Sequence, residues 1–244
     1  MLLKPNRFNF QDYLWLVVVY FVIIWLFTLT SKAKGQENIQ PEWAVVRIKS
    51  HGASGVVIQS TQGKSFILSC AHMFDSNESL FRKIEVDGWN QPNAPKLQAK
   101  AALKRLNKNL DLSLIELSNG PFYYLPIAPQ GYKPNQNLTS LGYDAMKWPA
   151  AKKTATYLGK VKINNATTIL TREPPWHGRS GGALVDPTHN YLVGIVQAYE
   201  HPYPYGRGMY VSLESIQGFL NNPINASPRP LSPLEPNPFC PPQY

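Results

Sequence analysis

Apolar residues are distributed along this chain in three different ways, and each predicts a different kind of element. From Tyr13 to Thr30 they run as Y-L-W-L-V-V-V-Y-F-V-I-I-W-L-F-T-L-T, without a charge. About 18 to 20 helical residues at 1.5 Å each span a hydrocarbon layer of ~30 Å. Tyr13 and Trp15 at one end and Trp25 toward the other suit the membrane interface. The segment has no polar face, which argues against a buried soluble helix. It predicts one transmembrane helix over 13–30, after a short flank at 1–12. A cleaved signal peptide is the other reading, with Ser31-Lys32-Ala33 as a weak cleavage site. The run is longer than a usual signal core, which favours the anchor. Lys4 and Arg7 before it and Lys32 and Lys34 after it leave the positive-inside tally level. The simpler topology keeps the short N-terminus inside. It puts the bulk of the chain in the periplasm or outside the cell, either tethered or, after cleavage, secreted.

Residues 31–43 are polar and aperiodic and read as a linker. The second pattern then begins: short β-rich runs separated by turns. The first set is Ala44–Ile48, Val56–Gln59, Phe66–Ser69, Ile84–Val86, Leu97–Leu106 and Leu112–Leu117. The second is Leu138–Tyr143, Thr156–Ile163, Thr168–Leu170, Ala183–Asp186, Leu192–Tyr199 and Met209–Val211. Each set suffices for one six-stranded antiparallel barrel. A Pro-bearing connector near 120–130 crosses between them, and Leu213 to Leu220 predicts a short C-terminal helix. The folded domain is therefore all-β and covers 44–221. The third pattern is the tail at 222–244, which carries eight prolines. Such a segment forms neither helix nor central strand. It reads as a disordered extension, or alternatively as a docking arm.

Composition adds limits. A chain of 244 residues, less its two ends, holds one core of ordinary apolar content. The net charge of +9 reads first as a solvated basic surface. Attraction to anionic lipid, cell-wall polymer or acidic substrates is the functional alternative. No Lys/Arg block or basic stripe interleaved with aromatics points to nucleic acid. No Cys-x-x-Cys or His-x-x-x-His pattern points to a metal, and no cofactor motif is present. Cys70 reads as a small buried hydrophobe, with pairing to Cys240 as the lesser alternative. Asn-x-Ser/Thr sequons at Asn77, Asn137, Asn165 and Asn225 matter only in a glycosylating host.

The chemistry concentrates in three places. The run Trp176-His177-Gly178-Arg179-Ser180-Gly181-Gly182 leads into an apolar strand. Gly178 lets the backbone turn so that its N–H and that of Ser180 converge as an oxyanion hole. Gly181 and Gly182 leave room for a substrate. Ser69-Cys70-Ala71-His72 places a histidine just past a hairpin whose turn is at Gln62-Gly63. Asn109-Leu110-Asp111-Leu112 starts a strand with an aspartate. Each has a bland reading. Gly-Ser-Gly-Gly occurs in flexible loops, a lone His after a strand is often a surface residue, and a lone Asp before one is often a turn residue. Taken together, in the order His72, Asp111, Ser180, they are far more specific.

These segments resemble the trypsin-like serine proteases, in that family's chain order of the triad. The stretch Thr171–Ser180, Leu141-Gly142-Tyr143 and Tyr191–Val196 are most similar to the bacterial HtrA-type enzymes, over roughly 45–220 of the chain. The resemblance implies two six-stranded barrels, and it makes Leu97–Leu106, which could be helical by propensity, a strand. It implies Ser180 as nucleophile, His72 as general base and acid, Asp111 as the group that orients His72, and Gly178 with Ser180 as the oxyanion hole. It implies Gln197 and Ala198 as the strand that meets substrate backbone, although they could be ordinary β residues. His177 reads as a loop residue rather than a second base, and the aromatic-Pro loop at 199–205 lines the pocket or covers the barrel. Arg179, Trp176-His177 and Cys70 depart from the family's usual residues. No length remains for the PDZ domain that many HtrA-type proteases carry. The expected activity is peptide-bond cleavage on polypeptide substrates, with homo-oligomerisation left open. The rival class is a non-catalytic, membrane-anchored binding or scaffold protein, which the three triad residues and the oxyanion glycine disfavour.

Overall fold

The computed structural model describes residues 40–61, 63–74, 83–89, 97–118, 122–163, 165–200 and 206–221, all within the unit Gln40–Tyr244. The segment 13–30, most of the linker, the tail and the loop at 201–205 lie outside the described residues. Among the described residues no helix is long and apolar enough to cross a membrane.

A 3-10 turn over Pro41–Ala44 leads into the first six strands: β1 (Val45–Ile48), β2 (Ala53–Ser60), β3 (Ser65–Ser69), β4 (Lys83–Gly88), β5 (Leu97–Asn107) and β6 (Leu112–Leu117). They close a barrel in the order β1-β2-β3-β6-β5-β4. A second barrel is formed by β7 (Asn137–Gly142), β8 (Ala151–Ile163), β9 (Ala166–Thr171), β10 (Ala183–Asp186), β11 (Tyr191–Tyr199) and β12 (Gly208–Ser212), in the order β10-β11-β12-β9-β8-β7. Every ladder is antiparallel. Helix α1 (Leu213–Asn221) follows directly.

The predicted strands all occur, and closure explains why the sequence could support so many short ones: a barrel leaves no unpaired edge. The largest difference is β8, which starts at Ala151 rather than Thr156. Its opening residues, Lys152, Lys153 and Thr154, pair with Leu141, Ser140 and Thr139, but they carry too little apolar alternation to be seen as a strand. Leu97–Asn107 is strand because both its neighbours bind it, Ala101 pairing with Ile84 on one side and Leu117 on the other.

Three apolar clusters hold the domain. Val46, Val57, Ile67, Ile84, Leu103 and Ile115 fill the first barrel. Leu138, Ile169, Leu184, Val193 and Tyr210 fill the second. A third joins them: Val45, Val56, Leu68 and Leu112 pack with Leu141, Tyr143, Ile195, Val211 and Phe219. The connector is stitched to both barrels. Leu125 N donates to Val57 O at 2.9 Å, and Leu192 N to Pro126 O at 2.9 Å. The barrel seam is thus a packed core, and the three candidate residues lie just outside strands: His72 after β3, Asp111 before β6 and Ser180 before β10.

Candidate active site

Strand register explains how residues far apart in sequence meet. In the β3–β6 ladder Ser69 lies opposite Ser113, so the chain leaving β3 passes the chain entering β6. His72 is on the first and Asp111 on the second. Ser113 Oγ donates to Cys70 O at 2.9 Å, and Lys108 Nζ to Ala71 O at 2.9 Å and to Phe74 O, which ties down the turn around His72. Asp111 sits at φ 53°, a left-handed conformation that Asp tolerates better than most residues. There its Oδ1 accepts the N–H groups of Ala71 (2.9 Å) and His72 (2.8 Å). His72 Nδ1 donates to Asp111 Oδ2 at 2.9 Å. A carboxylate only accepts, so it places the proton on Nδ1 and leaves Nε2 as the basic nitrogen of the neutral ring.

Nε2 meets a partner that composition did not suggest. Cys70 Sγ lies 3.6 Å away, and Cys70 is a buried free thiol. Burial works against the charged ring, but the Cys70 sulfur and the Asp111 carboxylate outweigh it and hold the His72 imidazole well above its ordinary value.

Ser180 follows the turn from the other barrel. Its carbonyl accepts Ser54 N at 2.8 Å. Gly181, at φ 80°, packs against the end of β3: a Cβ there would lie 1.9 Å from Ser69 Oγ, 2.3 Å from Ser54 O and 3.0 Å from Cys70 N. The serine turn therefore docks on the strand end that carries His72. Among the described residues Ser180 Oγ forms no hydrogen bond, to His72 or otherwise, and such contacts are often long before substrate binds.

The amides of the turn divide into two groups. Arg179 N donates to Trp176 O (3.2 Å), Gly181 N to Val196 O (2.8 Å) and Gly182 N to Arg179 O (2.8 Å). Gly178 N and Ser180 N have no such partner among the described residues. His177 O accepts Ala145 N at 2.7 Å, and in a planar trans peptide the N–H of Gly178 then points to the opposite side. Ser54 Oγ donates to Gly178 O at 2.8 Å.

Around the turn, Gln197 sits at an irregularity in the β11–β12 ladder between Val196 and Ala198, half-buried, with Thr168 Oγ1 3.4 Å from its Oε1. Ala198 pairs with Met209. A bulge re-aims side chains and interrupts pairing beside a site. His177 is exposed, with Nε2 3.4 Å from Tyr199 Oη. No group of three metal-ligating side chains occurs among the described residues. Sequence reasoning missed the Cys70–His72 contact and the inward turn of Arg179, whose side chain is fully buried against Asp144. The one available signal was that both residues depart from the family's usual types.

The sequence profile of the trypsin-like peptidase domain matches residues 53–195, more than half the chain. The chain belongs to the trypsin-like peptidase family. It carries a serine endopeptidase domain, and enzymes of this kind act on polypeptides. Solved structures agree on the fold of this trypsin-like domain. The active form of the Rv3671c protease from M. tuberculosis is 16% identical, with a TM-score of 0.59 over 79% of this chain and 85% of that one. The MamO protease domain from Magnetospirillum magneticum is 20% identical, with a TM-score of 0.58 over 74% and 97%. A serine endoprotease from Yersinia pestis is 21% identical, with a TM-score of 0.58 over 73% and 62%. No curated protein matches the sequence.

Proposed function

We propose that this chain is a membrane-tethered serine endopeptidase in which Ser180, His72 and Asp111 form the triad and Gly178 N and Ser180 N the oxyanion hole. The observation that carries the reading is the hydrogen-bonded His72–Asp111 pair at the end of β3, with the Ser180 turn docked on that same strand end.

The reaction follows from the roles. Ser180 Oγ attacks the substrate carbonyl carbon as His72 Nε2 takes its proton. The carbonyl oxygen becomes an oxyanion, which the two unpartnered amides stabilise. Asp111 remains ionised and stabilises the imidazolium. His72 then protonates the leaving amine, the C–N bond breaks, and an acyl-enzyme remains. Water, deprotonated by His72, attacks the ester carbon; the bond from that carbon to Ser180 Oγ breaks, the carboxylic acid product leaves, and His72 returns the proton to Ser180. In the resting arrangement Nε2 faces Cys70, so the first step requires the ring to exchange the sulfur for the Ser180 hydroxyl. Gln197 and Ala198 would pair with the substrate backbone along β11. The segment 13–30 would hold the enzyme in the membrane with its domain in the periplasm or outside the cell.

The resting Cys70–His72 contact favours one second reading: a trypsin-fold scaffold whose histidine never serves Ser180. A fluorophosphonate separates the two. It reacts with a serine that has both an activating base and an oxyanion hole. Labelling of Ser180 that is lost in Ser180→Ala and in His72→Ala is expected. A folded protein that takes no label at any pH, with or without added peptide, would overturn the enzymatic reading. Ser180→Ala should also lower peptide cleavage on the order of 10⁴-fold or more while the fold persists.

A further inference from the structure

Arg179 stands immediately before Ser180, yet its side chain is fully buried. Nε donates to Asp144 Oδ1 at 2.7 Å and Nη2 to Asp144 Oδ2 at 2.8 Å, a two-pronged pair, while Nη1 donates to Ser140 O at 2.8 Å. Burying a guanidinium is costly unless its donors are met in this way, and removing one partner strands the other charge. The route inward exists because residue 142 is glycine: a Cβ there would lie 2.4 Å from Arg179 Cγ.

Asp144 opens a turn with two consecutive left-handed residues, Ala145 (φ 46°) and Met146 (φ 59°). Such strain persists only where the surroundings over-determine it. Here they do. Ala145 N donates to His177 O at 2.7 Å. Arg47 Nη1 donates to Met146 O at 2.6 Å, and Arg47 Nε to Asp87 Oδ2 at 3.0 Å. The turn is therefore gripped on one side by the first barrel and on the other by the residues that flank Gly178.

Resting on the proposed roles of Ser180 and Gly178, we propose that Arg179 is a positioning residue: its ion pair with Asp144 locks the 177–180 turn so that the Gly178 and Ser180 amides face one point. The lock lies wholly within the domain. One charge in the serine turn is held by one charge in a strained turn, and the Ala145–His177 bond fixes the peptide whose N–H belongs to Gly178.

The test uses the full chain with Arg179→Met, Arg179→Lys and Asp144→Asn. Turnover is counted per active site titrated with a fluorophosphonate. A peptide boronate, which mimics the tetrahedral intermediate, reports on the oxyanion hole. Arg179→Met and Asp144→Asn should each lower kcat about 10²-fold, as losing one oxyanion donor does, with KM changed less than about threefold. Boronate affinity should fall in parallel. Arg179→Lys keeps the charge without the fork and should recover part of both. Backbone exchange at Ala145 and Gly182, whose amides donate to His177 O and Arg179 O, should quicken by about tenfold or more as the turn opens locally. Wild-type kcat per titrated site and wild-type boronate affinity in Asp144→Asn, even with a lowered Tm, would overturn the proposal, leaving Arg179 a structural residue. Should Arg179→Met fail to fold, Asp144→Asn, which preserves shape, carries the decision. If the wild-type chain neither cleaves nor labels, the enzymatic reading fails by itself. The exchange measurement then decides the lock: faster exchange in Asp144→Asn supports it, and unchanged exchange overturns it.

Discussion

His72 has a carboxylate at one ring nitrogen and a sulfur near the other, and the two act on the same equilibrium. Both favour the imidazolium and hold its pKa well above the ordinary value despite burial. Only the neutral ring can take the Ser180 proton, so cleavage and labelling should rise with pH through a midpoint above the unperturbed value of about 6.5. The stability effect has the opposite sense. A histidine whose folded pKa is raised adds stability in full below the unfolded value, and loses it as pH rises through the folded one. Cys70→Ala removes the sulfur 3.6 Å from Nε2 and leaves Asp111 in place. Its rate–pH midpoint should move down, giving more activity near neutrality. An unmoved midpoint would mean that the sulfur has no hold on the ring. Asp111→Asn presents an amide to Nδ1 and favours the wrong tautomer; the trypsin-family precedent is a loss of about 10⁴ in kcat. The pairing of His72 with Asp111 could be read because each adjoins an apolar strand in a fixed order. The Cys70 contact could not, because a buried hydrophobe and a thiol beside an imidazole look alike in sequence. Nor could the Arg179 pair, whose partner lies 35 positions away in a turn without a motif.

At the scale of elements, the site depends on two short turns rather than on the strands. Gly181 brings the serine turn onto β3 with no room for a methyl group. Gly181→Ala adds a left-handed backbone penalty of about 1–2 kcal/mol to an overpacking cost of about 1–3 kcal/mol. Chemical denaturation should therefore show at least about 2 kcal/mol lost, and Ser180 labelling should fall with it; a neutral result would mean that the turn does not dock this closely. Ala145 presents the reverse case. Glycine pays no Cβ penalty at φ 46°, though it gains unfolded-chain entropy. Ala145→Gly should thus stabilise slightly, by about 0.5 kcal/mol, in the same denaturation assay, and a clear destabilisation would remove the strain from that turn. The strands were legible because barrel closure rewards each apolar run. The packing of these turns was not, since it is imposed by residues of other elements: Arg47 and His177 in one case, Ser54 and Ser69 in the other, where the space at Gly181 serves the end of β3 rather than a substrate.

At the scale of the whole chain, the proposed tether competes with charge as a means of attachment. Two readings of its attachment make different use of the sequence. The net charge of +9 could bind an anionic surface through lysines and arginines, an interaction that weakens with salt and with loss of charge. The uncharged run at 13–30 would instead bury most of its 18 side chains, all but Thr28 and Thr30 apolar or aromatic, in hydrocarbon, with an attachment indifferent to both. Carbonate extraction at about pH 11 separates them, because lysines titrate near 10.4 and lose much of their charge there. We expect the full chain to sediment with membranes in high salt and after carbonate, and deletion of 13–30 to release it. We expect protease added outside spheroplasts to reach the trypsin-like domain. Release by salt alone would point to surface adhesion. A soluble mature chain beginning near Lys34 would replace the anchor with a cleaved signal, since an enzyme freed in that way keeps its basic surface but none of the apolar run.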